Sequence, residues 1–434
     1  MRRFFAFDQH HTSLRREAIA GLTTFLTMAY VIVVNPAILV VAGLPVGPSM
    51  TVTILTAVFG SLVMGLWARR PFAIAPYMGE NAFITFTVVK AMGFPWQTAL
   101  GAIFLAGLAF TLLTLLRVRG WMANAIPLSL KCSFSVGIGL FIAFVGLNEC
   151  GLVTIGVRGA PVALGALSQP PALLAIVGLL LTAGLMIRRV PGAIILGILA
   201  ITFLSVLFGV TPLPQAIVAL PPSPAPLLGQ LDIGAALSPK ALPVVLIIFV
   251  MAFVDTIGTL IGLSSRAGLL DANGNLPQIE RPMLADALTN LVAPLLGTTT
   301  SGVYIESAAG LEAGGRTGLT AVVTAGLFLL ALFFVPLFTL VPPHAYGVAL
   351  ILVGSTMMAP VAKLDFHDLT EFIPAFLTLS LISFSYNIGV GMTAGLASYP
   401  LLKLLAGRRR ETNLPMWLLA ALSVTFYLVY PYQV

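Results

Sequence analysis

The chain has 434 residues, 59% of them hydrophobic and 9% charged, where an ordinary soluble domain carries about 25% charged residues, and its mean hydropathy is +1.04. Those values exclude a water-soluble globular domain, and the net charge of +7 does not point to nucleic acid, because the basic residues stand singly or in pairs between apolar runs rather than on one face. The two cysteines, Cys132 and Cys150, are predicted near opposite ends of one helix, too far apart to bridge, so neither a disulfide framework nor metal or redox chemistry is expected.

A bilayer core about 30 Å thick takes about 20 apolar residues per helix. The chain opens with Arg2, Arg3, Arg15 and Arg16 and enters an apolar run at 18–41, which is long enough to span and has no small-residue cleavage site, so it reads as a retained span rather than a cleaved leader. Further runs lie at 49–67, 73–89 (broken), 98–116, 134–147, 172–187 and 193–208. A connection rich in proline follows (Pro212, Pro214, Pro221, Pro222, Pro224, Pro226). Then come 244–263, 284–296, 303–311 (broken), 319–341, 347–362, 372–384 and 388–405. A last stretch, 415–430 with Trp417, Tyr427, Tyr430 and Tyr432 about it, reads either as an extra span or as an interfacial helix.

If all fourteen runs cross and the amino terminus is cytoplasmic, only Lys90, Arg158 and Lys240 of the 22 Lys and Arg fall outside. That asymmetry is what the positive-inside rule demands, and it would be scrambled if either broken run failed to cross. Seven spans followed by seven enter the membrane from opposite sides, which predicts an inverted-topology repeat. The halves also echo each other, as 137–142 (GIGLFI) does 347–352 (GVALIL). The predicted fold is therefore an all-α polytopic membrane protein of fourteen segments in two inverted repeats.

The third and tenth segments break the pattern. Each runs from a Pro- or Gly-bearing stretch through a tyrosine into an acid: Pro76, Tyr77, Met78, Gly79, Glu80, Asn81 in the first, and Val303, Tyr304, Ile305, Glu306, Ser307 in the second. Backbone that is not helical survives at membrane depth only where protein or an internal cavity surrounds it. Each is expected to form a short strand and then a half-helix, whose unpaired N–H groups and partial positive charge favour carboxylates and electron-rich ligand atoms. Asp255 lies near the middle of the run 244–263, where an acid costs about 2.5–3.5 kcal/mol on insertion scales and so faces a cavity or a partner. Asp255, Glu306 and Glu80 are the candidates for substrate contact and proton coupling, and Asn81 for substrate contact. Tyr77 and Tyr304 offer aromatic faces on which a base would stack for about 1–3 kcal/mol. Each also has a plainer reading: interhelical bracing for Asp255, helix capping for Glu80, Asn81 and Glu306, packing for the tyrosines. Asp286 and Asn290 read as braces of the core, and His10, His11, His344 and His367 as loop or terminal residues.

On these residues the chain resembles the nucleobase transporter superfamily (the xanthine/uracil permease family), specifically its AzgA-like branch of adenine, guanine and hypoxanthine permeases. The resemblance covers nearly the whole chain. It is carried by 23–30 (TTFLTMAY) with Asn35 and Pro36, by Met78, Gly79, Asn81 and Ala82, by 255–259 (DTIGT), and by 304–310 (YIESAAG) continuing to 314–318 (GGRTG). It implies a core domain (17–116 and 243–341) and a gate domain (126–208 and 345–405), with 413–432 as an extra apolar segment and the base held between the domains. It further implies that Glu306 and Asp255 hydrogen-bond the base, the Ile305 N–H meets a ring acceptor, Tyr304 stacks and Asn81 shapes selectivity. Two departures stand out: Glu80 occupies a position commonly apolar in this branch, and Thr259 stands where the uracil permease branch looks to have a histidine tied to proton coupling. The implied function is uptake of a purine base across the inner (plasma) membrane by proton symport, sodium being the alternative ion, with rocking of core against gate and a homodimer through the gate domains. No enzyme activity, cofactor or nucleic-acid partner is expected. The competing readings are an anion exchanger or channel of the same architecture, and a uracil or xanthine permease.

Overall fold

The structure, a computed structural model, describes residues 2–116, 126–157, 160–212, 216–266, 276–385 and 387–429. Arg117, Arg119, Arg158, Pro214, Tyr430 and Tyr432 lie outside the described residues. Among the described residues, eight helices are long and apolar enough to cross a membrane, and four shorter apolar helices accompany them.

The first run is broken into α1 (Leu14–Met28) and α2 (Val31–Leu39). Pro36 lacks an N–H to give and crowds the turn before it. At the join the ladder tightens to i→i−3 bonds from Ile32 to Ala29 and from Val33 to Tyr30, which turns Tyr30 inward, where it is 1% exposed. Next come α3 (Val46–Leu62), β1 (Ile74–Pro76), the half-helix α4 (Met78–Ala82) with its wider continuation Phe83–Ala91, and α5 (Trp96–Leu115). Then follow α6 (Leu128–Glu149), β2 (Val153–Val157), β3 (Ala160–Leu164), α7 (Pro170–Ile187), α8 (Ala193–Leu207) and the short α9 (Ile233–Ala236). The second half runs through α10 (Leu242–Arg266), α11 (Glu280–Leu296), β4 (Ser301–Val303), the half-helix α12 (Ser307–Glu312), α13 (Gly318–Ala331), α14 (Val335–Phe338), α15 (Pro343–Thr356), α16 (Leu369–Phe384), α17 (Ile388–Leu405) and α18 (Leu414–Val429).

The helix contacts come in matched sets. α3 packs on α13 as α11 packs on α5, α1 on α13 as α10 on α5, and α7 on α8 as α16 on α17. Exchange of the two halves leaves this list unchanged, as an inverted repeat requires. The echo between 137–142 and 347–352 falls on two helices that cross each other, α6 and α15. A Cβ added at Gly146 would sit 2.5 Å from the Gly347 carbonyl oxygen and one at Gly139 2.7 Å from that of Gly354, so these glycines let the two backbones touch.

Two expectations need correction. The hairpin β2–β3, with Val153 opposite Leu164 and Thr154 opposite Ala163, adds strands outside the third and tenth segments. Its β-branched residues favour the pleated pairing, and β2 packs against α6. His344 is no loop residue: it lies in α15, 4% exposed, with Nε2 2.7 Å from the Ser205 hydroxyl of α8.

At one end of α17, Lys403 is 1% exposed and 2.7 Å from both Glu371 and Glu411. Asp368 caps α16 through the Thr370 N–H and hydroxyl at 2.9 and 2.6 Å and meets Arg408 at 2.7 Å. The Thr370 hydroxyl and then the Arg408 guanidinium hold its carboxyl low, at about 2. Glu411 leads into α18, which packs on both α17 and α10 and gives the Tyr427 hydroxyl to the Val390 carbonyl at 2.6 Å.

Candidate functional site

β1 and β4 come from opposite halves of the chain and pair antiparallel, Ile74 opposite Val303, Ala75 opposite Gly302 and Pro76 opposite Ser301. The ladder is closed by two matching bonds, one at each end: Tyr77 N–H to the Thr300 carbonyl at 2.9 Å, and Tyr304 N–H to the Ala73 carbonyl at 3.0 Å. A two-stranded sheet leaves an outer edge on each strand, and deep in a membrane those groups need partners. Ser61 of α3 supplies them for Ile74, accepting from its N–H at 3.0 Å and donating to its carbonyl at 3.2 Å. Asn290 of α11 does the same for Ser301, at 2.8 and 2.7 Å. Asn290 therefore braces a strand, as its sequence position suggested.

Each strand then passes through its tyrosine into a half-helix, and the two rings stack with centroids 6.3 Å apart and planes 9° from parallel, within the usual range of offset aromatic pairs. Gly302 makes the room, since a Cβ there would lie 2.2 Å from the Tyr77 ring. The Tyr304 hydroxyl donates to the Pro76 carbonyl at 2.5 Å and the Tyr77 hydroxyl to the Val303 carbonyl at 3.4 Å. Tyr304 is 4% exposed, so in this state its ring serves mainly the strand pair, whereas Tyr77 is half-buried.

The predicted acids gather around this stack in two groups. Glu306 is the cap residue of α12 but makes no capping bond; its Oε1 accepts from the Tyr30 hydroxyl at 2.6 Å, and Ile305 beside it is 53% exposed. Among the described residues no backbone acceptor meets the N–H of Ile305, which stands just before the cap. On the other side of the stack, Glu80 in the first turn of α4 is 1% exposed, and neither carboxyl oxygen has a hydrogen-bond partner. Asp255 of α10 and Asp286 of α11 lie within electrostatic reach of it, and of Tyr77. Thr259 stands one turn beyond Asp255, on the same face and half-buried. Asn81 points away from the stack. It is fully buried, with Nδ2 donating to the Asn35 Oδ1 at 2.6 Å and to the Asn35 carbonyl at 3.2 Å, while Asn35 reaches Thr53 at 2.8 Å.

Two neighbours escaped the sequence reading. Tyr30, the Glu306 donor, stood inside the stretch 23–30 without a role. Asp286 braces two helices as read: Thr256 of α10, the residue after Asp255, hydrogen-bonds its carboxylate. Thr300, the residue before β4, faces the Glu80 carboxyl without closing a hydrogen bond to it. The signal for Asp286 was an acid in an apolar run; Tyr30 and Thr300 offered none.

A separate shallow crevice between α10, α17 and α18 is lined by groups such as Leu246, Val250, Met392 and Leu396, with no titratable side chain among them.

Comparison with known proteins gives one consistent picture. A family profile described as "Permease family" (Xan_ur_permease) matches residues 15–398. The chain is 46% identical to a Methanocaldococcus jannaschii protein named as a permease without a substrate, over 99% of this chain and 98% of that one. It is 40% identical to the adenine permease AdeQ of Escherichia coli, over 97% and 94% of the two chains, and 39% identical to the guanine/hypoxanthine permease PbuG of Bacillus subtilis, over 99% of both. Among solved structures, the transmembrane domain of the cyanobacterial bicarbonate transporter BicA is similar in fold, with a TM-score of 0.65 and 16% identity, covering 88% of this chain and 97% of that one. With its many apolar helices, the chain is a multi-pass membrane protein.

Proposed function

The chain belongs to the Permease family, and on that premise we propose that it takes up a purine nucleobase, adenine, guanine or hypoxanthine, in symport with protons. The names of its relatives support the substrate class. The observation that carries the reading is the pair of strand-linked half-helix tips, which set an exposed Ile305, an unpaired amide and the Tyr30-held Glu306 together at one point. A purine edge presents ring N–H donors and ring-nitrogen acceptors, and a carboxylate beside a free N–H matches both kinds. Tyr77 supplies the aromatic face, Tyr304 backs it and Asn81 fixes the α4 tip, while Asp255 and Thr259 stand with Glu80 on the other side of the stack. Acids at both tips disfavour an anion as cargo, because two half-helix dipoles would serve an anion better without them.

In this reading the chain makes fourteen crossings in the inner membrane with a cytoplasmic amino terminus. A core (17–116, 243–341) moves against a gate (126–208, 345–405), gate domains pair in a homodimer, and α18 lies beside the bundle as an added segment. Core and gate meet where α4 packs on α6 and α2 on α15. Uptake of radiolabelled hypoxanthine by cells expressing the protein, competed by unlabelled purines and pyrimidines with and without a protonophore, tests this. The expected result is competition by purines only and loss of accumulation with the protonophore. Competition by uracil alone, or uptake indifferent to every base, would overturn it.

A further inference from the structure

The two acidic groups around the tyrosine stack differ in what their side chains have to hold. Glu306 has a donor and borders an exposed residue; Glu80 has neither. Both Glu80 oxygens, Asp286 Oδ1 and the Thr299 and Thr300 hydroxyl oxygens are buried without a hydrogen-bond partner. Among the described residues, the titratable groups facing Glu80 are Asp255 from α10, Asp286 from α11 and Tyr77 at the end of β1; the charges among them are all negative. Glu80 and Asp286 are buried and Asp255 is half-buried, so three ionised carboxylates there repel each other and two of them have lost their hydration, which is strongly unfavourable. Binding a proton removes a charge and supplies the donor that is missing.

Building on the permease reading above, we propose that Glu80 carries the coupled proton, holding it in the sealed cluster with Asp255 and Asp286, while the base is met at Glu306 on the other side of the stack. Water on the entry side gives the proton to the Glu80 carboxylate while the cluster is open. Movement of the α4 tip past α6 seals the cluster, and reopening on the other side returns the proton to water. Asp286, with one oxygen held by Thr256, is a positioning residue that makes the charged form of Glu80 unfavourable when the cluster is shut.

The test uses purified full-length protein in proteoliposomes, with two readouts: exchange of radiolabelled hypoxanthine at equal pH, and its accumulation under an inward proton gradient in sodium-free medium. One coupled proton sustains about tenfold accumulation per pH unit. Wild type is expected to reach that ratio, and Glu80→Gln to fall to no accumulation while exchange remains measurable. Accumulation in Glu80→Gln equal to wild type, or wild-type accumulation that requires sodium, overturns the proposal. Failure of wild type to exchange any purine overturns the permease reading instead. Infrared spectra of wild type provide a second measurement independent of how the variant folds: a protonated-carboxyl C=O band near neutral pH is expected, and its absence sinks the proposal.

Discussion

The tips of the two repeats share a backbone and diverge in their side chains. β1 and β4 close on each other with the same register, each is bracketed on its outer edge by one polar residue from a neighbouring helix, and each ends in a tyrosine of the same stack. Yet Glu306 is partly exposed and hydrogen-bonded to Tyr30, whereas Glu80 is sealed and unpartnered. A duplicated scaffold thus presents two carboxyl groups in unlike surroundings, and surroundings decide what a carboxyl group does. In the proposed reading one tip meets the ligand and the other the proton.

The comparison breaks most visibly at the register pair Ala75 and Gly302. Gly302→Ala puts a methyl into the Tyr77 ring, an overpacking that costs about 1–3 kcal/mol, and it is expected to cut hypoxanthine uptake severely by parting the stack. Ala75→Gly, at the partner position, is expected to retain most uptake. Equal effects in a side-by-side uptake assay would mean that the stack does not matter to the site. Tyr30→Phe removes the hydroxyl that donates to the Glu306 carboxylate; a hydrogen bond to a charged group contributes about 1.5–3 kcal/mol, so the dissociation constant for the base should rise roughly 10- to 100-fold. An unchanged constant would separate Tyr30 from the site.

Smaller effects are expected in the scaffold. Asn290→Ala strips both backbone bonds from Ser301 and a third to the Asp286 carbonyl, whereas Ser61→Ala strips two from Ile74. The melting temperature in detergent should fall in both, further for Asn290. The reverse order would show that the brackets are not equivalent. The least effect is expected from Asp368→Asn, remote from both tips. Its carboxyl is held low, at about 2, by Thr370 and then Arg408, so its contribution is in place above the usual unfolded value of about 3.9 and is lost as pH falls through about 2. Between pH 5 and 8 the melting temperature of wild type should show no step from this group, and the variant should melt slightly lower throughout.

The paired tips were legible in the sequence because Pro76, Gly302 and the following acids violate the composition of an ordinary span, and a violated span has few physical solutions. The inverted repeat was legible through the distribution of Lys and Arg. The partners were not. Tyr30 reaches Glu306 across 276 positions through a kink whose direction depends on packing, and Asp286 joins Asp255 only because α10 and α11 are neighbours. Asn81 was read as a substrate contact or a cap from its place at the half-helix tip; one residue along a helix turns a side chain by about 100°, and the bond it makes to Asn35 could not be read from its position. The hairpin β2–β3 was missed because membrane-length apolar runs dominate the pattern and short strands between them do not register.

The division of labour between the tips is tested most directly by equilibrium binding of radiolabelled hypoxanthine to the purified protein, comparing wild type with Glu306→Gln and Glu80→Gln. Removing the acid at a ligand contact of this kind costs about 2–5 kcal/mol, roughly thirtyfold to several thousandfold in affinity. Binding should be lost in Glu306→Gln and remain saturable in Glu80→Gln. Equal loss in both, or full retention in Glu306→Gln, would contradict the account.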